Sequence, residues 1–271
     1  MSGSAGGQSS ENDGPRTRAE QRRQKILDLV DVNGRVTVEE LTREFKVSAV
    51  TARADLEALA RLGALRRSHG GAVRAADTGR DSPLQLKNIL HLRQKAGIAQ
   101  AAVRLIRPET TIILDSGTTT AEIARQLKES RIRSVRVITN SLGIAAELSA
   151  EPGFQVILLG GAVRGVSQSC VGPQAERMMR DFRADHLFLA ADGMDVEHGP
   201  WTPDLLEASL NSLMVRSSEE VTVVADSSKF GRRSTQVIAP IESVWRVITD
   251  AGIAPAFREE LRARDVELIV T

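Results

Sequence analysis

Apolar residues recur along this chain with two different periods, and the change from one to the other divides it. In the first part they fall at helical spacing: Ile26, Leu27, Leu29 and Val30 put an apolar stripe on a helix of about residues 18 to 32 that ends near Asn33-Gly34. Thr37 with Glu40 three residues on forms a capping box, which predicts a short helix through Phe45. Lys46-Val47 makes a turn, and Ser48 caps a third helix whose Ala52, Leu56 and Leu59 share one face and which Gly63 ends. Two short extended pieces around Gly70-Gly71 follow, a β-hairpin with arginines at its base.

Beyond a polar stretch at residues 76–87 and a helix of roughly 87 to 106, the pattern becomes one of short apolar runs. These lie at 111–114, 135–138, 154–159, 186–191, 221–225, 246–249 and 266–270, with helical stretches between them. Strands alternating with helices predict a mostly parallel, doubly wound α/β sheet. The expected organisation is a tail at residues 1–15, a winged helix-turn-helix at 16–75, a linker at 76–87 and an α/β domain at 88–271. Gly/Ser-rich residues 1 to 14 carry almost no apolar side chains to offset the entropy of ordering.

Charge sharpens this division. The net charge of +1 conceals a segment, Pro15 to Arg80, with 14 Lys/Arg against 9 Asp/Glu, so the remainder is acidic. A basic helix-turn-helix predicts a double-stranded DNA partner. On the third helix, Val50, Thr51, Arg53, Ala54 and Glu57 face away from the apolar stripe, toward a major groove. Arg53 suits a guanine edge, Ser48 and Thr51 suit phosphates, and Arg66, Arg67 and His69 belong to the wing. Asp55 sits at the flank, where it is expected to orient a neighbouring arginine.

In doubly wound sheets ligands bind beyond the carboxyl ends of the strands. After the run at 111–114 comes Asp115-Ser116-Gly117-Thr118-Thr119, a glycine turn into a helix N-terminus, with N–H donors and hydroxyls that suit a phosphate. The following strand ends carry Asn140, then Gly160-Gly161 with Arg164, then Asp192, then Lys229, an acid and a base placed for a sugar hydroxyl and a phosphate. Helix capping by Thr118, Thr119 or Asn140 and a plain turn at Gly160-Gly161 are the structural alternatives. No GxxxxGK[ST] or GxGxxG spacing occurs, which speaks against a nucleotide or dinucleotide cofactor. The single cysteine, Cys170, and histidines scattered at 69, 91, 186 and 198 give no expectation of a disulfide or a metal. No apolar stretch approaches a membrane span, so a soluble cytoplasmic protein is expected.

Two specific motifs resemble a known family. Ser48, Thr51, Arg53, Asp55 and Leu56, followed by Arg67, Gly70, Gly71 and Ala72, resemble the DeoR-type helix-turn-helix and its wing, with departures at Ala52 and Ala54. Asp115 to Thr119, Thr139-Asn140-Ser141, Gly160-Gly161 with Arg164, Ser169, Val171-Gly172-Pro173, Asp192-Gly193 and Ala225 to Gly231 are similar to the DeoR sensor domain, and Thr202-Pro203 with Glu207, Asn211 and Met214 is also family-like. Ala190 stands where the family often has glycine. The resemblance implies a fold like that of ribose-5-phosphate isomerase and CoA-transferases, a repressor of carbohydrate genes and a phosphorylated-sugar effector; a dimer or tetramer is expected because winged helices bind paired half-sites. The competing expectation is a sugar-phosphate isomerase or deaminase with Asp115 or Asp192 as base and Lys229 as electrostatic stabiliser.

Overall fold

A computed structural model describes residues 18–75 and 81–271, which fall into two compact units divided between residues 76 and 77. The expected tail and the first part of the expected linker lie outside the described residues. In the N-terminal unit, α1 (Arg18–Asn33), β1 (Arg35–Thr37), α2 (Val38–Phe45), α3 (Ala49–Arg61), β2 (Leu65–Ser68) and β3 (Gly71–Arg74) build a three-helix body with a three-stranded sheet in the order β1-β3-β2.

Local chemistry sets each boundary. The Thr37 hydroxyl accepts from Glu40 N at 3.2 Å, while the Glu40 carboxylate accepts from Thr37 N at 2.7 Å, so the two satisfy free donors of the first turn reciprocally. Ser48 Oγ accepts from Thr51 N at 3.1 Å to start α3. Its end is a Schellman motif: Gly63 is left-handed at φ +80°, Gly63 N donates to Ala60 O, and Ala64 N donates to Leu59 O. Ile26, Leu27, Val30, Leu41, Ala52, Leu56 and Leu59 are buried and form the core of the unit.

The two wing glycines serve different ends. The hairpin turn is His69-Gly70, with Gly70 at φ +75°, whereas Gly71 already belongs to β3, opposite Ser68 on one side and Thr37 on the other. A Cβ on Gly71 would come within 2.0 Å of Val36 O, so the pairing with β1 requires glycine there. Strand β1 has only three residues and escaped the hydrophobic pattern.

The second unit begins with α4 (Leu84–Ile89) and α5 (Leu92–Val103) in place of one continuous helix. His91 is left-handed at φ 53° and breaks the run, and the supposed linker is helical from residue 84, with Leu86 buried. The chain continues through β4 (Thr111–Leu114), α6 (Thr118–Glu129), β5 (Val135–Thr139), α7 (Leu142–Ser149), β6 (Phe154–Leu158), β7 (Ala162–Arg164), β8 (Ser169–Val171) and α8 (Pro173–Arg180). Then follow β9 (Ala184–Leu189), β10 (Gly193–Asp195), β11 (Gly199–Thr202), α9 (Leu205–Arg216), β12 (Ser218–Val224), β13 (Gln236–Val237), β14 (Arg246–Thr249), α10 (Pro255–Arg262) and β15 (Glu267–Val270).

All seven expected strands join one parallel sheet in the order β15-β14-β12-β9-β4-β5-β6. Alternate strand residues feed two cores. Ile113, Leu187, Leu189, Val223 and Val247 pack on one face with Leu210, Met214 and Leu261, while Ile112, Leu114, Phe188, Val224 and Ile248 pack on the other with Ile98, Ile123 and Leu148. Strand order reverses between β4 and β9, which makes their carboxyl ends the topological switch point. The β7–β8 hairpin and the β10-β11-β13 sheet, built from strands of two to four residues, were not foreseen. Among the described residues no helix is long and apolar enough to cross a membrane.

Candidate functional site

Two surfaces carry chemistry, one in each unit. On α3, Val50, Arg53, Ala54 and Glu57 are exposed while Ala52, Asp55, Leu56 and Leu59 are buried, so the helix has one core face and one open face. Val50 is 74% exposed on that open face. Arg53 makes no ion pair with any described residue, so its guanidinium remains available. Ser48 is exposed and its hydroxyl lies 2.9 Å from that of Thr51. Arg66 and His69 are exposed on the wing, and Arg67 is half-buried, with Nη1 buried and unpartnered among the described residues.

Asp55, 2% exposed, accepts from Arg22 Nε at 2.5 Å and from Arg23 Nε at 2.9 Å. It therefore holds two arginines of α1 and clamps α1 to α3. Cutting such a buried pair costs about 3–5 kcal/mol when the other charge stays buried, and less here because Arg23 is 35% exposed.

In the second unit a cavity of about 80 Å³ opens at the switch point. Of the expected effector residues, Asp115, Ser116, Gly117, Thr118, Thr119, Asp192 and Lys229 line it. Helix α6 begins here without a side-chain cap, which leaves its first N–H groups and the positive end of its dipole facing the cavity. Gly117 is required by proximity, since a Cβ on it would lie 2.1 Å from Ala190 Cβ at the end of β9. Lys229 is half-buried and makes no ion pair within 4 Å of any described residue.

Asp115 holds this loop in place. Its Oδ1 accepts from Gly117 N at 3.1 Å and Thr120 Oγ1 at 2.8 Å, and its Oδ2 accepts from Ala190 N at 3.2 Å. Burial nevertheless pushes its carboxyl up to about 7, because three neutral donors do not make up for lost solvent and the nearby Glu207 carboxylate adds to the rise. The folded protein thus keeps this proton between about 3.8 and 7 while the unfolded chain has lost it, so the stabilisation is complete below pH 3.8 and disappears as pH rises through 7. The same ionisation adds a negative charge beside the α6 N-terminus. Anion affinity should consequently weaken as pH rises from 6 to 8, and Asp115→Asn should flatten that slope. Phosphate's own ionisation near pH ~6 acts equally in both proteins, so parallel titration curves would refute the assignment.

Four expected residues lie elsewhere. Asn140 is fully buried and donates from Nδ2 to Cys170 O at 3.2 Å, tying the end of β5 to β8. Gly160 N donates to Met178 Sδ, and Gly161 is needed because a Cβ would lie 2.5 Å from Val171 O. Arg164 is locked among three carboxylates, Asp81, Asp204 at 3.0 Å and Glu207 at 3.3 Å, and acts as a strut behind the cavity wall.

Residues beyond the strand ends complete the lining, among them Lys87, His91 and Lys95 of the α4–α5 segment, Glu207 and Asn211 of α9, and Asp226. Lys87 pairs with Asp192 at 2.6 Å and with Asp81 at 3.4 Å; burial lowers its pKa, but these carboxylates and Glu207 outweigh that and raise it. Lys95, 5% exposed, donates to the carbonyls of Lys87 and of Leu90 at 2.7 Å and so closes the end of α4. Asp226 is ionised more readily than usual: burial opposes this, and Lys229, His91, Ser228 and Lys95 together prevail. Sequence reasoning missed the α4 lysine because it treated residue 87 as linker.

Away from the cavity, ligand atoms of Asp195, Glu197 and His198 gather within 4.8 Å of one another, which the scattered histidines did not suggest. Arg233 already pairs with Asp195 and, at 3.0 Å, with Glu197, so the group is accounted for as an ion-pair cluster.

Residues 22–78 match the DeoR-like helix-turn-helix domain and residues 90–251 the DeoR C terminal sensor domain. A protein of Escherichia coli O157:H7 named as an aga operon transcriptional repressor is 37% identical over 256 residues, 94% of each chain. The lactose phosphotransferase system repressor of Lactococcus lactis is 32% identical over 243 residues, 88% of this chain and 94% of the relative. Ribose 5 phosphate isomerase A from Neisseria gonorrhoeae matches 54% of this chain and 55% of its own at 16% identity and a TM-score of 0.39, too distant to bear on chemistry. With both of its domains matched, this chain belongs to the DeoR family and is a DNA-binding transcriptional regulator with a sensor domain, not an enzyme.

Proposed function

We propose that the protein represses genes of carbohydrate metabolism and that a phosphorylated sugar, bound in the switch-point cavity, governs its hold on operator DNA. The observation that carries the effector reading is the uncapped α6 N-terminus, in a cavity that also receives Lys229. Backbone donors, hydroxyls of Ser116, Thr118 and Thr119 and Lys229, which makes no ion pair within 4 Å of any described residue although Asp226 feels its charge, suit a phosphate, and the acids Asp192 and Glu207 in the same lining suit sugar hydroxyls. The lactose repressor among the relatives supports the carbohydrate reading. Operator contacts are assigned to Ser48, Val50, Thr51, Arg53 and Ala54 on the open side of α3 and to Arg66, Arg67 and His69 on the wing. Because winged helices read paired half-sites, the working form is a dimer or tetramer.

The isomerase or deaminase reading gains nothing from the geometry. Both oxygens of Asp115 are already engaged by the loop and β9, and Asp192 is tied to Lys87, so neither carboxylate is free to act as a base. A thermal-shift screen of hexose 6-phosphates, hexose 1-phosphates and pentose 5-phosphates tests the effector reading. A ligand at 100 times its Kd adds ~2.7 kcal/mol of stability, several degrees in Tm, and a flat response to every compound would remove the proposal.

A further inference from the structure

Helix α9 presents Glu207 and Asn211 to the cavity one turn apart, on the same side of the helix. Asn211 is 5% exposed, and its amide makes no hydrogen bond with any described residue; Oδ1 is wholly buried. Its neighbours Leu210 and Met214 belong to the sheet core, so the backbone that carries it is fixed. An amide with nothing to bond to is costly in a buried position, and most buried polar groups are paired. Glu207 is half engaged in the same way. Its Oε1 accepts from Ser169 Oγ at 3.1 Å and Arg164 at 3.3 Å, but among the described residues Oε2 has only Thr202 Oγ1, at 3.5 Å.

These two side chains want different chemistry from the α6 end. A phosphate dianion cannot donate to Asn211 Oδ1 or to Glu207 Oε2, and a carboxylate repels it. A hydroxyl can donate to either acceptor and accept from the Asn211 Nδ2 group. We infer that Asn211, seconded by Glu207, is the specificity-determining residue of the effector site, pairing with the hydroxyls of a polyhydroxylated phosphate and so discriminating it from phosphates that carry no hydroxyls. This rests on the phosphate reading of the α6 N-terminus and adds a second, chemically distinct end to the same cavity. A site built to bond a hydroxyl rejects an analogue lacking it far more strongly than an apolar pocket rejects a missing methylene.

The test is calorimetric titration of the full chain with propyl phosphate and with the hexose and pentose phosphates, in the wild type, Asn211→Leu and Lys229→Ala. Leucine keeps the branched shape of asparagine and removes its polar group but is bulkier, so Tm is measured alongside to confirm that the variant folds. In the wild type the best sugar phosphate should bind at least about 30-fold more tightly than propyl phosphate; Asn211→Leu should shrink that advantage to about 3-fold or less, with propyl phosphate affected less than about 2-fold. If leucine prevents folding, Asn211→Asp, which keeps an acceptor and loses the donor, replaces it and should also narrow the gap. An unchanged gap, an equal loss for both ligands or no preference in the wild type would overturn the inference. Lys229→Ala separates the two readings, since weakened propyl phosphate binding in that variant upholds the phosphate end whatever Asn211 does.

Discussion

Arg53→Ala is expected to lower affinity for the protein's own promoter DNA by about 10–100-fold while leaving binding to unrelated duplex within a few-fold, because one bidentate contact to a base is worth ~1–3 kcal/mol of discrimination. The reason lies in how α3 is held. Ser48 fixes its start, the Gly63 Schellman motif fixes its end, and Asp55 clamps it to α1 through Arg22 and Arg23. Arg53 is on the other side of that helix, exposed and without an ion pair to any described residue, so truncating it should leave the scaffold undisturbed. Tm should stay within a degree or two, as it does for surface changes away from structural features. Phosphate contacts from Ser48, Thr51 and the wing persist, so the salt dependence of non-specific binding should barely change. A variant that keeps its full preference for promoter DNA in competition electrophoresis would rule Arg53 out as a base reader.

Lys229→Ala is expected to weaken the phosphorylated effector by about 10–100-fold, since a hydrogen bond to a charged group contributes ~1.5–3 kcal/mol. The other cations at the cavity are already committed. Lys87 faces Asp192 and Asp81, and Lys95 holds the carbonyl end of α4. Lys229 alone among the three lysines has no such fixed partner among the described residues. Its loss should leave promoter affinity in the absence of effector unchanged and shift the effector response to about 10–100-fold higher concentration. Isothermal titration of wild type and variant with the same sugar phosphate checks this, and equal affinities would remove Lys229 from the site.

Much of the fold was legible because it is carried by long-period patterns. Seven apolar runs became seven strands of one parallel sheet, and the Thr37/Glu40 and Ser48 signals opened the helices they predicted. What escaped was short or set by tertiary contacts. Strand β1 exists because Gly71 lets Val36 O approach, and the β7–β8 hairpin has strands of only three residues. The break between α4 and α5 sits at His91, a non-glycine residue in a left-handed conformation that no sequence rule announces.

The site divides along the same line. The loop after β4 was readable from Asp115 to Thr119, since a strand end, a glycine and a helix start lie within a few residues of one another. Asn140, Gly160, Gly161 and Arg164 sit at strand ends too, but backbone pairing and an ion-pair cluster absorb them. Lys87 and Asn211 reach the cavity from helices distant in sequence, and only the fold brings them to it.

The central claim is that a phosphorylated sugar in the sensor cavity controls the grip of the helix-turn-helix on DNA. Fluorescence anisotropy on a labelled promoter fragment, titrated with the sugar phosphate that most raises Tm, tests it most directly. Saturating effector should change promoter affinity at least about 5-fold, the lower end of ordinary allosteric coupling, and Lys229→Ala should move that response to about 10–100-fold higher effector concentration. Promoter affinity identical with and without a ligand that binds the cavity would contradict it.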